Sequence, residues 1–452
     1  ENMFGSLEYQ AVMAGEIGTE ITIDWQDGSS DVMSAKDVWR LIFDSNQPWT
    51  FSANGTIFKY DTKGIIPGLL ERWYAERKEM QAKKKTATSK EDEAFWDKRQ
   101  LVKKINLNSL YGAILNPGCR FFDQRIGQST TLTGRIIAKH MDSHVNEAIT
   151  GEYNHVGAAI IYGDTDSVYF SAWPQIKEEV ESGRMEWNRE ICVQLYDTIA
   201  ESVNESFPAF MERACHCPRE MGAIIRGGRE LIASKGLFIK KKRYGILIFD
   251  MEGVRLDTHG KAGKVKAMGL DLKRSDTPKV VQDFLSEILM IVLTGAGDVR
   301  QTVIDKVRDF KILFAGRPAW EKGTPKRVNN LTKYTAEEAR LGKANMPGHV
   351  RAAMNWNRLK KMHGDNYSMS IVDGMKTIVC KLKDNPLGFT SVGYPTDESH
   401  IPTWFKELPF DDSKMEMGIV NQKVENLLGV LDWKIAENTD IKTTFDDLFS
   451  FE

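Results

Sequence analysis

The sequence predicts an α+β protein of more than one domain. Strand-like runs such as Glu20-Ile-Thr-Ile-Asp24, Thr56-Ile-Phe-Lys-Tyr60 and Tyr244-Gly-Ile-Leu-Ile-Phe249 share the chain with long stretches of helical periodicity. At 452 residues the chain is too long for one core, and its length corresponds to about three domains. Its 41% apolar and 27% charged residues are ordinary globular composition.

The first residues, Glu1 to about Lys63, mix short strand runs with turn signals such as Gln26-Asp-Gly-Ser-Ser30 and read as the edge of an α+β domain. From Pro67 the pattern turns helical, with Leu69, Leu70, Trp73 and Tyr74 on one face, and Arg77 to Lys85 is heavily basic. The polar stretch Thr86 to Glu93 breaks this helix, and a second is expected from near Ala94 to about Leu115, where Asn116-Pro-Gly118 stops it. The product is an antiparallel helical hairpin with basic residues on both arms. Helical periodicity returns over Gln128 to Ile149 and Glu178 to Arg213, and strands over Glu230 to Arg255. Beyond Lys261 the chain reads as mostly helical, strongest over Val280 to Phe310, with a strand pair around Met375 to Tyr394 and a short basic helix over Arg351 to Lys361.

Several classes are excluded or disfavoured. No run of about 18 apolar residues exists to span a membrane, and no stretch resembles a signal peptide. Five scattered cysteines, an odd number, argue for reduced thiols and a cytoplasmic setting. Cys215-His216-Cys217 lacks a second Cys/His pair at zinc spacing and reads as structural. The net charge of −2 does not announce a polyanion partner, but charge is segregated: Lys235 to Arg243 holds five basic residues and no acid, while Trp433 to Glu452 holds two basic and five acidic. Glu1-Asn2 in place of an initiating Met suggests a processed chain, a fragment, or one half of a larger protein.

The stretch that carries chemistry is Tyr162-Gly-Asp-Thr-Asp-Ser167, set between apolar Gly157 to Ile161 and the alternating run Val168 to Ala172. It reads as a β-hairpin with charge at its tip. On an extended chain side chains two apart share a face, so Asp164 and Asp166 are expected to converge. Two hard carboxylates with room for water and phosphate suit Mg²⁺. An isolated Asp-Thr-Asp would be an ordinary turn; the flanking strands and the motifs below argue otherwise.

Lys104, Asn108, Tyr111 and Gly112 lie at i, i+4, i+7 and i+8 on one face of the second hairpin helix. An ammonium, an amide, a phenol ring and a bare backbone could take a triphosphate and check a base. Any one of them alone is more simply a solvated Lys or a core Tyr. Arg77, on the partner helix, could face Lys104 across the hairpin, an arrangement with a purpose if a polyanion joins them. In Lys240-Lys241-Lys242-Arg243-Tyr244, strand alternation would send Lys242 and Tyr244 to one face and Lys241 and Arg243 to the other. Charge runs are usually solvated, but a tyrosine here could be a platform for nucleic acid.

With these motifs in their order, the chain resembles a family B DNA polymerase of the T-even bacteriophage type. The carboxylate hairpin Tyr162 to Ser167, the helix motif Lys104-x-x-x-Asn108-Ser-Leu-Tyr111-Gly112 and Lys241-Lys-Arg-Tyr244 carry the resemblance, joined by Asp250-Met-Glu-Gly253, Met268-Gly-Leu270, Thr277-Pro278 and Asn385-Pro-Leu-Gly388. It implies a palm (1–65 and 119–255) split by a helical fingers hairpin (66–118) and followed by a mostly helical thumb (256–452). It implies template-directed DNA synthesis from dNTPs on primer-template DNA with two Mg²⁺ ions. Asp166 would be the shared metal ligand and Asp164 would lie beside it; Lys104 and Arg77 would hold the triphosphate. Asn108, Tyr111 and Gly112 would line the base-pair pocket, and Lys241, Lys242, Arg243 and Tyr244 would hold DNA. The ending Phe445-Asp-Asp-Leu448-Phe449-Ser-Phe451 resembles a tail that binds a sliding clamp.

Two departures stand out. Gln81 occupies the place of a second fingers lysine, for which Lys83 or Lys84 could substitute. The family's Asp-x-x-Ser-Leu-Tyr-Pro-Ser segment, which bears the other catalytic aspartate, does not occur here, and neither does the exonuclease. An N-terminal part or partner chain is therefore expected to supply them. Rival readings are a non-catalytic fragment that holds primer-template DNA, and an RNA-synthesising or reverse-transcribing palm enzyme, which the helical Asn-Ser-x-Tyr-Gly motif disfavours.

Overall fold

The computed structural model describes Gly18, residues 20–342 and residues 345–435. The chain is a mixture of helices and small antiparallel sheets, and it divides into two compact units, Glu1–Arg229 and Glu230–Glu452.

In the first unit β1 (Glu20–Asp24) pairs with β2 (Ser30–Ser34), and the chain reverses at Gly28, whose φ of 88° suits a residue without Cβ. Ser34 then caps α1 (Ala35–Phe43), accepting from the Asp37 amide at 3.2 Å. Val38 and Ile42 of α1 pack on Phe51 of β3 (Trp49–Phe51), which pairs with β4 (Ile57–Lys59). His216, suspected of no more than a structural role, lies edge-on to Phe43, and its Nδ1 is 3.1 Å from the Trp49 carbonyl.

The hairpin helices α2 (Ile65–Lys85) and α3 (Lys90–Ile114) are longer than periodicity suggests. The polar segment thought to separate them contributes only residues 86–89 to the loop. Ser89 accepts from the Asp92 amide at 3.0 Å, and Glu91, Asp92 and Glu93 place negative charge at the positive end of α3, so the acids start the helix instead of breaking it. Asn116 stops it by accepting from the Gly118 amide.

The long helix α4 (Gln124–Thr150) ends on left-handed Gly151 and leads to β5 (Ile160–Asp164) and β6 (Ser167–Phe170). Helical periodicity over Glu178 to Arg213 resolves into α5 (Trp173–Glu181) and α6 (Arg189–Cys215), the second capped by Asn188. Short α7 (Arg219–Gly222) follows. Val145 of α4 and Ile199, Val203 and Phe207 of α6 form a core on which Ile160, Val168 and Phe170 of the β5–β6 hairpin rest. A charged turn is thereby mounted on two helices.

In the second unit β7 (Leu231–Lys240), β8 (Arg243–Met251) and β10 (Lys264–Met268) form a sheet in the order β10-β8-β7, and β9 (Val254–Arg255) pairs with β8. Gly295-Ala-Gly297 splits the strong helical stretch into α8 (Lys279–Thr294) and α9 (Val299–Ala315), packed through Phe284 and Phe310 with stacked rings 3.9 Å apart. A second sheet joins β11 (Thr324–Arg327), β12 (Lys376–Lys381) and β13 (Ser391–Pro395). Between β11 and β12 lie α10 (Leu331–Leu341) and α11 (Gly348–Met362). The expected basic helix is α11, and it is a core element: Ala352 to Trp356 are buried, and its charges occupy the remaining face.

Candidate active site

The β5–β6 hairpin turns over two residues, Thr165 and Asp166, between the paired Asp164 and Ser167. The chain is not extended there. Thr165 has φ 57°, and the Asp166 amide donates to the Asp164 carbonyl at 2.6 Å. A β-branched residue in the left-handed region is strained, and strain of this kind collects at functional turns. Asp164 and Asp166 are therefore brought near each other by the tight reversal and not by strand alternation, with Asp164 half-buried at the strand end and Asp166 exposed. The Thr165 hydroxyl lies 3.3 Å from Asp164 Oδ1, and the Ser167 hydroxyl donates to the Asp164 carbonyl at 3.2 Å.

Two residues beneath the turn escaped sequence reasoning. Asn146 of α4 is fully buried; its Oδ1 accepts from the Ala159 amide at 3.0 Å, and its Nδ2 donates to the Glu152 carbonyl at 2.8 Å. It fastens the entry of β5 to the helix. One turn earlier, Asp142 brings a carboxylate against Gly163: a Cβ on Gly163 would lie 3.2 Å from Asp142 Oδ2. Among the described residues Asp142 Oδ1 is buried without a hydrogen-bond partner, and burial pushes the carboxyl up to about 6. The legible signal was an acid and an amide, four apart, beside the apolar stripe Ile137, Met141 and Val145.

On the helical hairpin, Lys104, Asn108, Tyr111 and Gly112 are all exposed, as their shared face requires. Neighbouring Lys103 turns inward to Glu76 and lies over the Trp73 ring at 5.8 Å, whereas Lys104 makes no ion pair among the described residues. Arg77 Nε donates to Gln100 Oε1 at 3.3 Å across the hairpin, one helical turn before Lys104. The Tyr111 hydroxyl meets the Thr131 hydroxyl of α4 at 2.5 Å. Near Gln81, Lys84 pairs with Asp97 at 2.7 Å, and Lys83 pairs with Glu79 while lying over the Trp96 ring.

In the second unit, strand alternation fails at the basic cluster because the chain reverses there. Lys241 and Lys242 form the exposed turn between β7 and β8, Lys242 with φ 62°. Arg243 Nη2 donates to Asp271 at 3.2 Å, and Asp271 also takes Lys423 and Asn426. Tyr244 is buried with its ring stacked on Phe238 at 5.4 Å. The cluster thus presents two lysines, while its arginine and tyrosine face the protein. Asn385 of the Asn-Pro-Leu-Gly motif organises a turn, donating to the Lys383 and Phe389 carbonyls and accepting from the Leu387 and Phe389 amides. Phe445, Leu448, Phe449 and Phe451 lie outside the described residues.

Among the described residues no group of three or more His, Cys, Asp or Glu side chains could hold a metal ion. The hairpin offers two carboxylates, and this fits a cation such as Mg²⁺, which takes one or two protein carboxylates and completes its shell with water and phosphate. Among the described residues no helix is long and apolar enough to cross a membrane.

Residues 30–202, which contain both the helical hairpin and the carboxylate turn, match the model of DNA polymerase family B. Over that stretch the chain is similar to that family. It is similar to the DNA-directed DNA polymerase of Escherichia phage RB69, 29% identical over 309 residues, and to that of Enterobacteria phage T4, 26% identical over 312. Each alignment covers 66% of this chain and 33% of the phage protein. The DNA polymerase delta catalytic subunit of Oryza sativa subsp. japonica is 29% identical over 233 residues, 51% of this chain and 18% of that protein. The chain spans about a third of the length of the phage relatives it matches.

Proposed function

We propose that this chain is part of a family B DNA polymerase and carries out template-directed DNA synthesis, adding nucleotides from dNTPs to a primer 3′ end. The observation that carries the proposal is the strained Asp164-Thr165-Asp166 turn, held at the tip of a hairpin that two helices and Asn146 anchor. A turn that is strained yet firmly mounted suits a group whose position matters more than its stability. Asp164 and Asp166 would hold Mg²⁺, which supplies charge stabilisation at the primer hydroxyl and the leaving pyrophosphate.

In this reading residues 66–118 are fingers, 1–65 and 119–255 palm, and 256–452 thumb. Lys104 and Arg77 bind and orient the triphosphate; the exposed, unbridged ammonium of Lys104 is available for that contact. Asn108, Tyr111 and Gly112 line the nascent base pair, with Tyr111 steadied through Thr131. Lys241 and Lys242 follow a DNA strand through phosphates, without sequence choice, from a turn that Arg243 and Tyr244 support. Phe445, Leu448, Phe449 and Phe451 engage a sliding clamp, in the manner of a short tail that inserts aromatic anchors. An N-terminal polymerase part would supply the second catalytic aspartate and the exonuclease. The second reading, a non-catalytic primer-template binding fragment, predicts the same DNA contacts without chemistry.

The deciding experiment is primer extension with this chain, alone and together with a polypeptide bearing the Asp-x-x-Ser-Leu-Tyr-Pro-Ser segment. Synthesis that appears only on mixing supports the proposal. Tight DNA binding without synthesis in either case favours the second reading.

A further inference from the structure

We propose that Asp142 is a positioning residue for the carboxylate turn, its side chain acting as a spacer between α4 and Gly163 that sets the height at which the hairpin carries Asp164 and Asp166. Gly163 has no positive φ, so backbone conformation does not demand a glycine there. What a side chain there would meet is Asp142: an added Cβ would lie 3.2 Å from its Oδ2, so the carboxylate would have to give by a few tenths of an ångström, and the next neighbour, the Ser167 carbonyl, lies at 3.8 Å. Alternation along β5 puts Gly163 and Asp164 on opposite faces, so Asp142 supports the strand from behind. A carboxylate oxygen buried here with no partner among the described residues is poor for stability, and a residue poor for stability beside a functional turn calls for another role. The role is steric, and it rests on the reading of Asp164 and Asp166 as metal-holding groups.

The test is titration of Mn²⁺ into the full chain, followed by the paramagnetic loss of free-ion signal, with thermal melting of each variant alongside. Asp142→Asn keeps the spacer and should bind Mn²⁺ like the unaltered chain. Asp142→Ala removes it and should weaken binding about tenfold, the low end for residues that orient metal ligands. Gly163→Ala overfills the gap and should weaken binding comparably. The double variant Asp142→Ala/Gly163→Ala returns a methyl group to the gap and should recover to within about threefold of the unaltered chain, a coupling that independent sites do not show. Losses that simply add in the double variant would overturn the spacer role, as would unchanged binding by Asp142→Ala. If Asp166→Asn binds Mn²⁺ as well as the unaltered chain, the metal reading itself fails, separately from the inference about Asp142.

Discussion

The α2–α3 hairpin and the helices α8, α9 and α11 share a secondary structure and differ in almost everything that holds them. No side chain of α2 is buried, and Ile114 alone is buried in α3. By contrast α8 buries Val281, Phe284, Leu285, Ile288, Leu289 and Leu293, and α11 centres on fully buried Trp356. The hairpin is joined by polar contacts: Lys84 to Asp97, Lys103 to Glu76, Arg77 to Gln100, and lysines over Trp73 and Trp96. Exposed pairs of this kind contribute about 0.2–1 kcal/mol each. Helix capping and such pairs can keep two long helices formed without fixing them to a core, and elements of that kind open at low free-energy cost. The difference separates helices held by a core from helices held by surface contacts.

The sharpest way to break the comparison is truncation. Trp356→Ala should destabilise the second unit by about 3–5 kcal/mol, whereas Leu101→Ala on the hairpin, where Leu101 is 46% exposed, should change stability by no more than about 0.5 kcal/mol. Denaturant unfolding measures both, and equal losses would mean that the hairpin has a core after all. The opposite ranking is expected for chemistry. With Lys104 and Arg77 on the triphosphate as proposed, Lys104→Ala and Arg77→Ala would each remove a charged hydrogen bond worth about 1.5–3 kcal/mol and should lower nucleotide incorporation roughly ten- to a hundredfold with little change in DNA affinity. A parallel fall in DNA affinity would move these residues to the DNA track.

Acid supplies a third comparison, within the first unit. His140 stacks on Phe210 at 4.0 Å and bonds Tyr153 and Ser206, and burial, with His144 and Arg213 nearby, lowers its ring from 6.5 to about 4. A depressed pKa means that the unfolded chain binds the proton more readily, so the His140 contribution is complete above 6.5 and is lost as pH falls through about 4. Asp142 has the opposite sign: its contribution is complete below 3.8 and lost as pH rises through about 6. Melting curves of the unaltered chain and His140→Gln should therefore converge as pH falls from 7 toward 4; a constant gap contradicts the assignment. The smallest effect expected is Lys84→Ala, which should cost less than about 1 kcal/mol.

Much of this was legible in the sequence, because the informative features were local. The carboxylate hairpin announced itself by two apolar runs about a charged turn, and the Lys104 face by its helical spacing. What failed were inferences that assumed regular geometry through a turn. Asp164 to Asp166 and Lys241 to Tyr244 were read as extended chain, but Thr165 and Lys242 take positive φ and reverse it. Thr86 to Glu93 was read as a breaker because its acids are polar, although acids after a serine cap are what a helix start favours. Asp142 and Asn146 could not be found from composition, since their roles depend on contacts with Gly163 and Ala159, about 20 and 13 residues away along the chain.

The central claim, that Asp166 at the strained turn does the chemistry's metal-holding, is tested most directly by primer extension with Asp166→Asn in the presence of a polypeptide bearing the Asp-x-x-Ser-Leu-Tyr-Pro-Ser segment. The account predicts that extension is abolished while the melting temperature and primer-template affinity stay as they were. Near-normal extension by Asp166→Asn would contradict it.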